Sequence, residues 1–218
     1  MPKTLTIKKS EILGLLCAEG CHCFYTTEYN EFDNRPNRMY WRRRKRRRES
    51  LEFGNNDPRL LNHFIKLLED VYNYKRRATG VKRAMRIVIG KRNVMNDLLS
   101  FSDFGSSKWS VSKEVKASGI RIKSAFIRGL YEGDGTHVYY PTRNKKPYID
   151  FHMNNGKGLK EVMEILKSIN IKCTLKYSKA EDMYRLIIRG NEDVKRFRRI
   201  VKPKFKKILL CRGDRTAM

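Results

Sequence analysis

The chain has 218 residues, enough for one or two compact domains with a proper core. Its 49 Lys and Arg against 23 Asp and Glu give a formal net charge of +26, which calls for a polyanionic partner, nucleic acid by default. Hydrophobic content of 40% excludes a disordered basic tail, no apolar run reaches the length of a membrane span, and five cysteines, an odd number, argue against a disulfide framework.

Residues 1–9 contain no apolar signal-peptide core, which predicts an intracellular, non-secreted protein. Ser10 reads as the N-cap of a first helix carrying Leu13, Leu15 and Leu16. Within it Gly14 and Ala18 stand four apart, clearing one face down to the backbone. Glu19 and then Gly20 follow, so the carboxylate sits at a helix end closed by a glycine C-cap. Cys21, His22 and Cys23, with Cys17 nearby, lack a second ligand pair at Cys-x2-Cys spacing, so they read as buried small thiols rather than a zinc site.

Residues 21–29 read as a strand whose alternation puts Cys23, Tyr25, Thr27 and Tyr29 on one face. Residues 30–38, with Asn34, Pro36 and Asn37, read as a turn. Trp41 and seven successive cations, Arg42 to Arg48, come next. Between two strands such a tract reads as a hairpin arm whose self-repulsion phosphates would relieve. Residues 50–53 form a second strand with Leu51 and Phe53 inward. Asp57 and Pro58 then start a helix, as N-cap and N1, that runs to Tyr72. A basic hairpin over 74–89, a helix through Val94, Leu98 and Phe101, and a linker over 106–120 complete this half.

The second half repeats the first. Gly129 and Gly133 again stand four apart, followed by Asp134 and Gly135. Tyr148 to Phe151 matches Ser50 to Phe53, Leu159 to Leu166 matches Leu61 to Leu68, Tyr184 to Ile188 matches Met85 to Ile89, and a last helix passes through Val194, Phe197 and Ile200. In the strand over 171–177, Ile171, Cys173, Leu175 and Tyr177 would face the core. The motif acids are 115 positions apart but Phe53 and Phe151 only 98, so the first half carries 17 extra residues, the arginine tract among them.

Two copies of this helix pattern, from Ile12 to Gly20 and from Ile127 to Gly135, resemble the single-chain form of the LAGLIDADG homing endonucleases, and the resemblance extends over nearly the whole chain. It implies an α+β fold of two pseudo-symmetric αββαββα halves, 1–105 and 121–218 with 106–120 as linker. Two four-stranded sheets would form a saddle on DNA with the motif helices packed in parallel at the centre. It also implies a monomeric nuclease, free-standing or intron-encoded, that hydrolyses double-stranded DNA across the minor groove, leaving short 3′ overhangs. The cofactor would be Mg2+, with Mn2+ as a substitute.

By the same resemblance Glu19 and Asp134 hold the metal with the main-chain oxygens of Ala18 and Gly133. The first copy has Glu where the name motif has Asp, which keeps the charge on a longer arm. Asp57 and Asn155 occupy the polar position that helps order water, with an ordinary N-cap as the other reading. Lys108 and Lys207 match the basic residue after each last helix, with Lys204 and Lys206 close in register. The DNA-facing set is Tyr25, Thr27, Tyr29, Arg42, Arg43, Arg44, Lys45, Arg46, Arg47, Arg48, Ser50, Arg77 and Arg86 in the first half. In the second it is Tyr140, Thr142, Asn144, Lys146, Tyr148, Asp150, Lys172, Thr174, Lys176, Arg185 and Arg189. Two rival functions share the fold: an RNA maturase acting on intron RNA, and a regulator that binds DNA without cutting.

Overall fold

The computed structural model describes residues 4–35, 38–80, 85–140, 145–206 and 208, and for 33–35, 38–40, 139, 140, 145 and 146 it describes the backbone alone. In chain order the elements are α1 (Ile7–Glu19), β1 (Gly20–Arg35), β2 (Arg38–Gly54), α2 (Pro58–Tyr72), β3 (Arg86–Ile89), α3 (Arg92–Leu99) and α4 (Lys113–Ala117), then α5 (Ile120–Asp134), β4 (Gly135–Tyr140), β5 (Lys145–Met153), α6 (Gly156–Ser168), β6 (Thr174–Ser178), β7 (Met183–Arg189) and α7 (Asn191–Val201). This is the α+β architecture expected, with two antiparallel sheets and seven helices among the described residues. None of these helices is long and apolar enough to cross a membrane.

The two motif helices, α1 and α5, lie side by side because their small residues remove everything between the backbones. A Cβ placed on Gly14 would stand 2.0 Å from the Phe126 carbonyl oxygen, and one on Gly129 would stand 2.3 Å from that of Glu11. One turn on, a Cβ on Gly133 would meet that of Ala18 at 2.3 Å. Contacts advancing in the same direction along both helices mean that they run parallel, as the repeated small pair predicts.

Two cap readings change. Thr6, not Ser10, caps α1, its hydroxyl accepting from the Lys9 N–H at 3.2 Å. The Ser10 hydroxyl instead donates to the Ile122 carbonyl at 2.8 Å, tying α1 to α5. Gly20 and Gly135 do close their helices, but with φ of −90° and −70° they need no left-handed conformation. Space selects glycine there: a Cβ would lie 2.4 Å from the Leu16 oxygen or 2.2 Å from the Tyr131 ring.

In each half the inward faces of the strands pack on helices. Leu51, Phe53, Ile87 and Ile89 meet Leu60, Leu61, Phe64 and Leu68, with the Phe53 and Phe64 rings stacked at 4.2 Å. Ile149, Phe151, Leu186 and Ile188 meet Leu159, Val162 and Phe197 in the same way, around a fully buried Tyr131. Burying such side chains contributes roughly 1.5–3 kcal/mol each. Asp57 caps α2 with Pro58 behind it, and Asn155 caps α6, both as the sequence indicates.

The sheets differ from expectation in three ways. First, the order is β1-β2-β3 in one and β4-β5-β7-β6 in the other, so among the described residues the first sheet has three strands rather than four. Its expected partner over 74–80 makes only an isolated bridge, Thr79 to Arg86, while Tyr74 is buried under the Arg76 guanidinium. Second, residues 30–35 extend β1 instead of turning. The arginine tract therefore lies inside β2, paired residue by residue with β1, and the connection falls on 36–37, outside the described residues. Glu28 and Glu31 of β1 make this possible by facing the cations: Arg44 pairs with Glu31 at 2.9 Å, Lys45 with Glu28 at 3.1 Å, and Arg43 also with Glu28. Third, Tyr177 is exposed on edge strand β6 instead of joining the core. Within 106–120 the chain is well packed, with Trp109, Val111 and Val115 buried.

Candidate active site

The close approach of α1 and α5 brings Glu19 and Asp134 to one end of the helix pair. The Cβ that Gly133 lacks would lie 3.2 Å from the Cγ of Glu19. Burial pushes the Asp134 carboxyl up to about 6, and the charge of Glu19 adds to that, while Lys206 pulls it down. Burial raises Glu19 too, against the hydrogen bond from Asn55 and the charge of Lys206. Two like charges held together in partial burial favour protonation or a cation.

Each acid is held by its own half. Asn55 donates from Nδ2 to Glu19 Oε1 at 2.9 Å, and its Oδ1 accepts from the Asp57 N–H at 2.8 Å. Asp57 thus reaches Glu19 through Asn55, while its own carboxylate caps α2 and pairs with Arg59, whose hydrogen bond holds it below the usual range. Asn155 is turned elsewhere. It is buried, accepts from Gly158 at 2.9 Å and donates to the Trp109 carbonyl at 2.5 Å, so both its polar atoms are committed.

On the other side Lys206 donates from Nζ to the carbonyls of Gly133 at 2.6 Å and Gly135 at 2.8 Å. Burial lowers its ammonium pKa even though Asp134, Glu132 and Glu19 raise it. Lys206 is therefore the lysine beside the motif acids. Lys108 stands exposed in a turn closed by its N–H on the Gly105 carbonyl, and Lys207 lies outside the described residues.

Two carboxylates absent from the expected site hold this lysine's segment. Glu132 is 2% exposed and accepts from the backbone N–H groups of Lys204, Phe205 at 3.0 Å and Lys206 at 3.1 Å. Glu11, equally buried, accepts from His63 and Arg128 at 2.7 Å and from Lys204 Nζ at 2.9 Å. Burial alone would raise Glu11, but these donors outweigh it and keep the carboxyl well below the ordinary range. An acid at helical spacing in an apolar helix is the available sequence signal for both.

The carboxylate pair and the Gly133 carbonyl, which already binds one cation in Lys206, form a hard-oxygen donor set suited to Mg2+. Ala18 is next to Glu19 and meets Gly133 across the seam. Among the described residues no group of three or more His, Cys, Asp or Glu could hold a metal ion. Water and a substrate phosphate would have to complete any Mg2+ shell at the pair. The cysteines are not the buried set expected: Cys17 is buried, but Cys21 is exposed and Cys23 and Cys173 are partly so.

The outward face of the sheets continues from these acids. On β1 and β2 it carries Tyr25, Thr27 and Tyr29 opposite Arg48, Arg46 and Arg44, with Arg42 beyond. Arg43, Lys45 and Arg47 have the other parity and lie on the reverse face, so the tract is split between two faces rather than presented on one. That reverse face also shows Phe24 and Trp41, 71% and 68% exposed. Ser50 is on the outward face but buried, donating to Glu52 at 3.2 Å. Glu52 pairs with Arg86, and Asp150 pairs with Arg185 at the matching place in the second sheet. Asp150 is thus buried rather than free to read DNA. Tyr148, Arg189, Thr174 and Lys176 are outward, but Lys172 precedes β6 and donates its N–H to Asp193 of α7, on the helix side. Arg77 is exposed outside any strand. Thr142 and Asn144, and the side chains of Tyr140 and Lys146, lie outside the described residues.

Residues 121–202 match the family model described as LAGLIDADG-like domain. The fold of the whole chain is also that of solved LAGLIDADG proteins. A structure of mesophilic variants of the homing endonuclease I-DmoI matches with a TM-score of 0.62 at 16% identity, covering 93% of this chain and 94% of that one. I-DmoI in complex with DNA and Mn matches at 0.58 and 16%, covering 93% and 100%. Full-length DUF199/WhiA from Thermatoga maritima matches at 0.55 and 14%, covering 91% of this chain and 56% of that one. No curated protein matches in sequence. At such identities the structures speak for the LAGLIDADG fold and not for activity.

Proposed function

We propose that the chain is a monomeric, site-specific homing endonuclease that makes a double-strand break in DNA with Mg2+. One observation carries this reading: Glu19 and Asp134 stand together at the base of a glycine-sealed helix pair, each directly before the first strand of its sheet. A protein that only binds DNA gains nothing from keeping two repelling carboxylates in partial burial. Structures of I-DmoI in complex with DNA and Mn and with DNA and Ca, and of an I-DmoI variant with its target DNA in the presence of Mg, support the same reading for this fold.

Glu19, Asp134 and the main-chain oxygens of Ala18 and Gly133 would hold the divalent ions. When bound, such ions activate water and stabilise a departing oxyanion. The chain's own residues do the rest. Two-stranded ribbons fit the major groove, where the outward residues of β1 and β2 and of β4 to β7 meet base edges and phosphates. Lys206 sets a cation beside the acids, where the phosphate would lie. The halves 1–105 and 121–218, joined by 106–120, would each serve one strand. Cuts across the minor groove would leave short 3′ overhangs in an asymmetric site, and the protein would work inside the cell that makes it.

Digestion of a randomised or genomic DNA library in Mg2+, followed by sequencing of the ends, tests this reading. One long site with 3′ overhangs, bound but hardly cut in Ca2+, is the expected result. Binding of duplex DNA with no cutting in Mg2+ or Mn2+ would show instead a regulator that keeps the fold without the reaction.

A further inference from the structure

Lys206 does more than lie near the acids. Its ammonium bridges the Gly133 and Gly135 carbonyls at 2.6 and 2.8 Å, on either side of Asp134. It does not reach there by chance rotation of a loose side chain. Glu132 of α5 holds the backbone N–H groups of residues 204–206, and Glu11 of α1 holds the ammonium of Lys204. Both motif helices thus clamp the segment that delivers Lys206, through carboxylates almost wholly removed from solvent.

Resting on the endonuclease reading, we propose that Lys206 is a resident cation of the metal site, and that it and a divalent ion exclude each other. The Gly133 oxygen would be a ligand of the ion, and the lysine already occupies it. A +1 and a +2 charge sharing one oxygen repel. In the DNA-free protein the lysine screens Glu19 from Asp134 and keeps the helix pair closed without metal. Metal entry requires the ammonium to leave the Gly133 carbonyl. A DNA phosphate brought beside the seam is the anion that draws it off. DNA binding and metal loading are then coupled, each strengthening the other by the same factor. Glu132 is a positioning residue in this scheme, since it fixes the backbone from which the lysine swings.

Calorimetric titration of the DNA-free full chain with Mn2+ tests the proposal. Lys206→Met should bind Mn2+ at least about tenfold tighter than wild type, equal to ~1.4 kcal/mol. Lys206→Arg, which restores a cation, should stay near wild type. Equal affinities for Lys206→Met and wild type, or no measurable binding by either, overturn the proposal. A second measurement needs no variant: Mn2+ should raise acylation of Lys206 in the wild-type protein, read by mass spectrometry against Lys116, which is paired with Glu161. An unchanged Lys206 signal overturns the proposal as well. The two readings fail separately. A chain that never cuts DNA sinks the nuclease and leaves the Mn2+ comparison readable. Equal affinities in a chain that does cut sink the resident cation alone.

Discussion

Replacing Gly129 with alanine puts the helix seam to a quantitative test. The new Cβ would stand 2.3 Å from the Glu11 carbonyl oxygen and 2.7 Å from the Leu15 nitrogen, where ordinary van der Waals separation begins at 3.4 Å. Both neighbours are backbone, so no side chain can rotate away, and α1 and α5 must part by about 1 Å at that point. Overpacking of this kind costs about 1–3 kcal/mol. The absence of a yielding neighbour puts the cost at the upper end. Alanine's better helix propensity offsets roughly 1 kcal/mol of it. The net, about 2 kcal/mol, should lower Tm by about 4–8 °C in a protein of this size. Separation of the helices also displaces Glu19 from Asp134, and a shift of about 1 Å at reacting groups can cost on the order of 100-fold in rate. Thermal melts followed by circular dichroism, with single-turnover cleavage of the target, measure both effects. Gly119→Ala is the control, because nothing lies within 4 Å of its Cβ. A Gly129→Ala protein with the wild-type Tm and cleavage rate would refute the claim that glycine is there to let two backbones touch.

Other expectations are as specific. Asp134→Asn should abolish cleavage and leave DNA affinity nearly intact, and a loss of binding instead would make the acid structural. Because burial and then Glu19 raise Asp134 from 3.8 to about 6, the folded state binds this proton more tightly than the unfolded chain does. Its contribution is therefore complete below pH 3.8 and is lost as pH rises through about 6. In chelator at neutral pH, Asp134→Asn should accordingly be more stable than wild type, by no more than about 3 kcal/mol. A denaturant midpoint at or below wild type would contradict this. Glu11→Gln strands Arg128, His63 and Lys204 without their anion and should cost about 3–5 kcal/mol, seen as a large fall in Tm at pH 7. Its folded pKa is depressed, so its contribution is present above the unfolded carboxyl's pKa and fades as pH falls toward the folded one. Neutralising Arg42, Arg44, Arg46 and Arg48 together should reduce the slope of log affinity against log salt by up to about 0.9 for each phosphate that the protein no longer neutralises. The same treatment of Arg43, Lys45 and Arg47 should change it far less, and equal effects would mean that the face assignment is wrong.

The centre of the molecule is readable from sequence because close helix packing leaves a local signature. Gly14 and Ala18, Gly129 and Gly133 are small for a geometric reason, and acid plus glycine after each follows from the helix end. Caps such as Asp57 and Asn155 are legible because their chemistry is confined to a few neighbouring residues. The hairpin departs from expectation where polar residues that often mark turns are instead cross-strand partners: Glu28 and Glu31 counter the charges of β2, and such pairing has no local mark. The split of the arginine tract follows from the two-residue strand period once the tract is known to be a strand, and not before. Sequence does not tell Lys206 from Lys204 and Lys207, because its place depends on Glu132, 74 residues earlier in the chain. Asn55 is hidden for the same reason, since its partner Glu19 is 36 residues away.

The unequal strands of the two halves bear on how often a genome could offer a target. β1 runs for 16 residues and β4 for 6, which at about 3.3 Å per residue is roughly 50 Å against 20 Å. Laid along a duplex that rises about 3.4 Å per base pair, the first ribbon could follow about 15 base pairs of one flank and the second about 6. Tolerance to mismatches should then be lopsided, with substitutions far from the cut mattering only on the side that the long ribbon reaches.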